Sequence, residues 1–181
     1  MFSSLILSTS KKSNLMTKKN SDVVIGLDLA QKLGVCAFDG SNQKLLFSES
    51  IVLYRGDTQK RLLRLHEYLC EIFARYAPSE VAIEDIFLPA KTSPKTPIAL
   101  GEMRGIARLC AAERNLPVFF YPPRQVKMAI TGYGNASKQD VIHWIENEFK
   151  IQVKDDNEAD AVSIAWTHIL MRRFAPENHP Q

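Results

Sequence analysis

The order of apolar and polar positions divides the chain into strand-like and helix-like segments. Val23, Val24, Ile25 and Leu27 form a short run of strand formers, and Asp28 falls near its end. A second run, Gly34 to Phe38, follows closely enough to predict a hairpin with Gly34 near the turn. Residues 43–53 predict a third antiparallel strand. Asp57 or Thr58 caps a helix over 59–76. There Leu62, Leu65, Leu69, Ile72, Phe73 and Tyr76 recur at three- and four-residue spacing, one apolar face for packing on a sheet. Val81, Ala82 and Ile83 form a short strand closed by Glu84. Residues 88–97 carry three prolines and two lysines and predict an exposed loop.

The second half repeats the alternation. Ile98 to Arg114 predicts a long helix with Gly101 and Gly105 four apart on one face. Each glycine costs about 1 kcal/mol in a helix interior, so close approach of another helix, a strand or a DNA backbone is expected there. Leu116 to Tyr121 is a strand, and Pro122 and Pro123 lead into a short helix bearing Arg124 and Lys127, closed by Gly132. Asn135 or Ser137 caps a helix over 138–149. Asp155 or Asp156 caps a last helix reaching Arg173, with Val162, Ala165 and Ile169 as its apolar stripe. Strands alternating with helices place the chain in the α/β class.

Composition adds bounds. A length of 181 residues with 45% apolar and 24% charged residues suits one ordinary soluble domain. Residues 1–21 read as a disordered N-terminal extension, 22–173 as the folded domain and 174–181 as a flexible tail. No apolar run approaches the roughly 20 residues of a membrane span. The extension lacks arginine, which argues against an organelle transit peptide, so the expected location is cytoplasmic. Cys36, Cys70 and Cys110 stand singly in apolar patterns without CxxC spacing, and read as reduced core residues rather than metal ligands.

Charge changes the picture more. The net charge of +3 lies in residues 1–22, which leaves the remainder neutral overall. Within that remainder, Leu88 to Lys138 holds eight basic residues (Lys91, Lys95, Arg104, Arg108, Arg114, Arg124, Lys127, Lys138) against two acids. From Asp155 to Asp160 four of six residues are acidic. A basic block with an acidic cluster is what a phosphate-backbone binder with a cation site requires.

Three carboxylates have no evident structural role. Asp28 and Glu84 stand at strand ends, and Asp160 is one turn into the last helix. Brought together, each close pair would repel by about 4 kcal/mol at 4 Å with an effective dielectric near 20. Protons or divalent cations must neutralise such a cluster. Its oxygen-only donors favour Mg²⁺ or Mn²⁺ over Zn²⁺. Two such ions are the usual device for phosphodiester hydrolysis. No small-molecule cofactor is indicated. Phe87, beside the proline-rich loop, reads either as a core ring or as an exposed ring that stacks on a base.

Six segments in order, IGLDLAQKLGVCAF, VAIEDIF, ALGEMRGIA, LPVFFYPPRQVK, GYGNASKQDV and EADAVSIAWTH, give residues 23–171 a resemblance to the RuvC family of Holliday-junction resolvases, in the RNase H-like superfamily. The resemblance implies a five-stranded mixed sheet in the order 3-2-1-4-5, flanked by helices. It implies that Asp28, Glu84 and Asp160 bind two Mg²⁺ ions, that Phe87 reaches the junction centre, and that Lys127 and Lys138 lie beside the scissile phosphate. It places the LGEMRG helix in a homodimer interface. From the basic block, Lys91, Lys95, Arg104 and Arg124 are expected to join the DNA-binding residues. A branch-migration motor is an open candidate partner.

Two features depart from the pattern. The family usually has Asp or His three residues before the last acid, where this chain has Asn157, which can offer a carbonyl oxygen but no charge. The loop after Phe87 is two residues longer than usual. With the N-terminal extension, these resemble a divergent phage or prophage branch. The expected activity is paired symmetric nicking of four-way DNA. The alternatives are a broader flap or fork nuclease, or a catalytically weak junction-binding protein because of Asn157. An actin-like phosphotransferase would need a second lobe and glycine-rich phosphate loops, which DLAQKLG does not provide.

Overall fold

The computed structural model describes residues 22–30, 32–85 and 95–174. Phe87 and Lys91 lie outside them, as do the proposed extension and most of the proposed tail. The chain runs β1 (Val23–Asp28), β2 (Lys32–Asp39), β3 (Lys44–Val52), α1 (Thr58–Tyr76) and β4 (Glu80–Glu84). It continues through α2 (Lys95–Ala112), β5 (Val118–Tyr121), α3 (Pro123–Thr131), α4 (Lys138–Phe149) and α5 (Asp156–Phe174).

The five strands form one sheet in the order β3-β2-β1-β4-β5, as the resemblance implied. The first three are antiparallel neighbours, and β4 and β5 join in parallel. Side chains of successive strand residues leave opposite faces, so the central strands feed two cores. Ile25, Leu27, Val35 and Ile83 pack with Leu65, Leu69 and Phe73 of α1 and Met103 and Ala107 of α2. Val24, Cys36, Phe38 and Ala82 pack with Ile145 of α4 and Val162, Ala165 and Ile169 of α5. No helix among the described residues is long and apolar enough to cross a membrane.

The caps are local. The Asp57 side chain accepts from the Lys60 amide to start α1. Ser137 and Asp140 form a reciprocal capping box that starts α4. The Asp155 carboxylate accepts from the Glu158 amide at the start of α5.

Two expectations are corrected, and a third is narrowed. β2 begins at Lys32 rather than Gly34, so Gly34, near the turn as expected, is a paired strand residue opposite Asp28. A Cβ there would stand 1.9 Å from the Asn157 carbonyl oxygen, so the glycine admits the first turn of α5 rather than a chain reversal. The second helix begins at Lys95, not Ile98, because Pro97 occupies its first turn, where a missing N–H removes no helical bond. A methyl group added to Gly101 or Gly105 meets nothing within 4 Å, so no described part of the chain approaches that face of α2, and of the expected neighbours only a second copy or DNA is left.

Candidate active site

Asp28 closes β1 and Glu84 closes β4, which are parallel neighbours in the sheet. Leu27 is in register with Ile83, so the two acids stand side by side at the carboxyl ends of adjacent strands. That edge of an open α/β sheet is where ligands gather. Asp160 arrives from α5, whose first turns pack backbone-close against the sheet. A Cβ on Gly26 would meet the Ala161 carbonyl oxygen at 2.3 Å, and Gly34 sits under Asn157. Two strand glycines thus seat α5 low enough for Asp160 to join the strand-end acids.

The three acids line one cleft of about 310 Å³ together with Ala30, Pro123, Val126, Lys127, Lys138, Val141 and Asn157. A second hollow of about 290 Å³ shares Asp28, Ala30, Glu84 and Pro123 and extends to Asp85, Leu100 and Arg104. The site is therefore a trough running from α4 and α5 toward α2.

Asp28 is only 8% exposed. Burial first, then the charges of Asp160 and Glu84, push its carboxyl up to about 8, with Lys138 opposing. Burial and Asp160 push Glu84 up to about 7, against Lys138 and Lys127. Asp160 is pushed up to about 6, chiefly by burial. None of the three forms an ion pair with a lysine or arginine among the described residues. Proton retention is what a carboxylate cluster does when it lacks a counter-charge at contact distance.

Asn157 neighbours this cluster. With its amide turned to match its surroundings, its nitrogen donates to Asp28 Oδ2 at 3.1 Å and to the Lys32 carbonyl at 3.3 Å. It thereby supports the ionised form of Asp28 by hydrogen bonding. Lys138, the first residue of α4, pairs with Asp156 at the rim, and Lys127 donates to the Ala136 carbonyl at 2.7 Å. Both lysines line the cleft. Arg104 reaches Asp85 at 2.9 Å and lies 3.7 Å above the Phe120 ring, so its guanidinium is held in place at the trough's far end.

The other sequence-predicted residues are less engaged. Arg124 is exposed on α3, folded against Gly134, and does not line the cleft. Lys95 begins α2. Two supporting groups were not anticipated. Lys32 and Ser50 both hydrogen-bond Asp155, and this holds its carboxyl down near 2 despite partial burial. Asp85, next to Glu84, anchors Arg104. The first contact joins residues more than 100 positions apart and left no local signal. Asp85 was visible only as a second acid in the IEDIF segment.

Comparisons place this arrangement among known proteins. The family model described as "Crossover junction endodeoxyribonuclease RuvC" matches residues 16–168. A relative of that name from Thermotoga petrophila is 37% identical over 150 residues, covering 81% of this chain and 90% of its own. The RuvC structure of Thermus thermophilus superposes with a TM-score of 0.71 at 30% identity, covering 84% of this chain and 96% of that one. The same protein in complex with a Holliday junction substrate gives a TM-score of 0.75 at 28% identity, over 84% and 95% of the two chains. A match spanning most of the domain, on a sheet of the order that the motifs implied, shows that this chain belongs to the RuvC family of crossover junction endodeoxyribonucleases.

Proposed function

We propose that the protein is a metal-dependent endonuclease that resolves four-way DNA junctions by paired symmetric nicks. The observation that carries this reading is the convergence of Asp28, Glu84 and Asp160, from β1, β4 and α5, in one cleft with Lys127 and Lys138. Family membership supports it, as does the likeness to a relative determined with a Holliday junction.

The donor set fits hard divalent cations. It offers carboxylate oxygens and the Asn157 amide, with no sulfur or imidazole among the described residues that line the cleft. Asp28, Glu84 and Asp160 would hold two Mg²⁺ or Mn²⁺ ions. When bound, these supply water activation and charge stabilisation at the leaving 3′ oxygen. The protein's own residues do the remainder. Lys127 and Lys138, on α3 and α4, present ammonium groups beside the acids and orient the phosphate to be cut. Asn157 keeps Asp28 oriented through its amide, and turning that amide over would present its carbonyl as a neutral ligand. Arg104, stacked on Phe120, provides a rigid cation for a neighbouring phosphate.

A second copy of the chain completes the assembly. On α2, Ile98 is 62% and Leu109 50% exposed, and Gly101 and Gly105 between them are open. A bare glycine stripe flanked by exposed apolar residues suits close packing of an identical helix. A twofold dimer presents two sites to the two strands of like polarity in a junction.

Cleavage of labelled four-way junction, flap and linear duplex, each with Mg²⁺, Mn²⁺ or chelator, tests the reading. Metal-dependent paired nicks in the four-way junction are expected. Comparable cutting of flaps would make the protein a general branch nuclease. Binding without cutting in either metal would make it a junction-binding protein.

A further inference from the structure

Away from the cleft, α1 and α2 bring together side chains that the proposed reaction does not use. His66 and Cys70 are four residues apart on α1 and share a face. Cys110 on α2 meets them across the interface. One donor atom from each of the three lies within 4.8 Å of the others. Cys70 Sγ stands 3.8 Å from His66 Nε2. Glu113, one helical turn beyond Cys110, places Oε2 3.9 Å from the same nitrogen.

We propose that His66, Cys70 and Cys110, with Glu113 in the fourth position, form a structural Zn²⁺ site that clips α1 to α2. Zn²⁺ bonds of about 2.3 Å to sulfur and 2.0–2.1 Å to nitrogen imply donor separations of roughly 3.3–3.8 Å in a tetrahedron. Both measured separations involve the imidazole nitrogen and exceed their tetrahedral values by roughly 0.2–0.6 Å, so small rotations of the half-buried His66 and Cys70 and the exposed Glu113 close the shell on the buried Cys110. Two thiolates and an imidazole select Zn²⁺ and reject the hard cations suited to the acidic cleft. Charge also balances locally. Two thiolates and a carboxylate around a divalent ion leave one negative charge. Arg114 lies beside it, with Nη1 3.5 Å from Glu113 Oε2 and 3.2 Å from the Cys110 carbonyl.

The geometry explains why the thiols escaped notice as ligands. His and Cys share one helix, Cys110 lies on another with Glu113 just past its end, and the two cysteines are forty positions apart. Four protein donors leave no open coordination position, which is the pattern of a structural site. The site rests on α1 and α2 alone and does not depend on the nuclease reading.

The test uses the full chain, reduced, stripped with chelator and titrated with Co²⁺. A thiolate-to-cobalt charge-transfer band and intense visible bands of tetrahedral Co²⁺ are expected at one equivalent, displaced by Zn²⁺. Cobalt in the acidic cleft has no sulfur donor and gives no such band. Cys70→Ser and His66→Gln change half-buried positions, which limits the risk to folding. Each should weaken Zn²⁺ binding by more than about tenfold and remove the Zn²⁺-induced rise in melting temperature. Cobalt uptake without the thiolate band would overturn the proposal. So would a Zn²⁺-induced melting shift that is unchanged in both variants.

Discussion

At the scale of single residues, the molecule separates acids that are neutralised by contact from acids that are not. Glu80 belongs to the first kind. Its carboxylate accepts from His168 Nε2 and from Arg172, both at 2.9 Å, and His168 Nδ1 is 2.7 Å from the Tyr121 hydroxyl. His168 and then Arg172 hold the Glu80 carboxyl below its ordinary value near 4.5, against the opposing effect of burial. The unfolded chain therefore binds more protons than the folded one in that window, and this stability is present at neutral pH and lost as pH falls below 4.5. Glu80→Gln should cost about 1–3 kcal/mol at pH 7, read from urea denaturation. The difference should shrink below pH 4.5; a constant difference would show that the charge on Glu80 is not what the network uses. Asp28, Glu84 and Asp160 are the second kind, held up in pKa by burial and by one another. These three were legible in the sequence because each interrupts an apolar pattern. The Glu80 network was not, because His168 reads as one more residue on the apolar side of a helix.

At the scale of elements, the decisive placement is that of α5. Its side chains fill one core, and its first turns carry Asn157 and Asp160. What lets it descend onto the sheet is the absence of side chains at Gly26 and Gly34. Gly34→Ala would drive a methyl group into the Asn157 carbonyl. The expected cost is about 1–3 kcal/mol in stability, with loss of cleavage because the α5 acid moves away from the strand-end pair. A variant with wild-type stability and activity would show that the close approach is not needed. Helix and strand periodicity predicted all ten elements, since that signal is local. The packing role of Gly34 was not legible, because a glycine near a turn has a sufficient local reason and only the packed partner shows the other. The open face of α2 makes a separate prediction. Leu109→Glu should convert a dimer to monomers in sedimentation while leaving the fold intact, because Leu109 is already 50% exposed in the single chain. A dimer that survives the substitution would place the interface elsewhere.

At the scale of the whole molecule, charge is sorted by place rather than by total. The described domain sets acids at the floor of a trough and cations at its sides, so the net charge of +3 conveys little about it. Binding to a phosphate backbone should therefore depend steeply on salt, and each cation that contacts a phosphate contributes about one unit to the slope of log affinity against log salt. Lys127→Ala should lower that slope by about 1 and weaken junction binding. An unchanged slope would remove Lys127 from the DNA contact. The sequence disclosed the basic block but not its clustering, since only the fold shows that Lys127 and Lys138 line the cleft while Arg124 does not. The clustered carboxylates of the trough serve cleavage and not binding. The decisive experiment compares the wild-type protein with Asp28→Asn, on one labelled four-way junction in Mg²⁺, for both affinity and cutting. Junction affinity should stay within about threefold of wild type while cleavage falls by at least about a hundredfold. Cleavage that survives the substitution, or affinity that disappears together with cleavage, would rule out that division of roles.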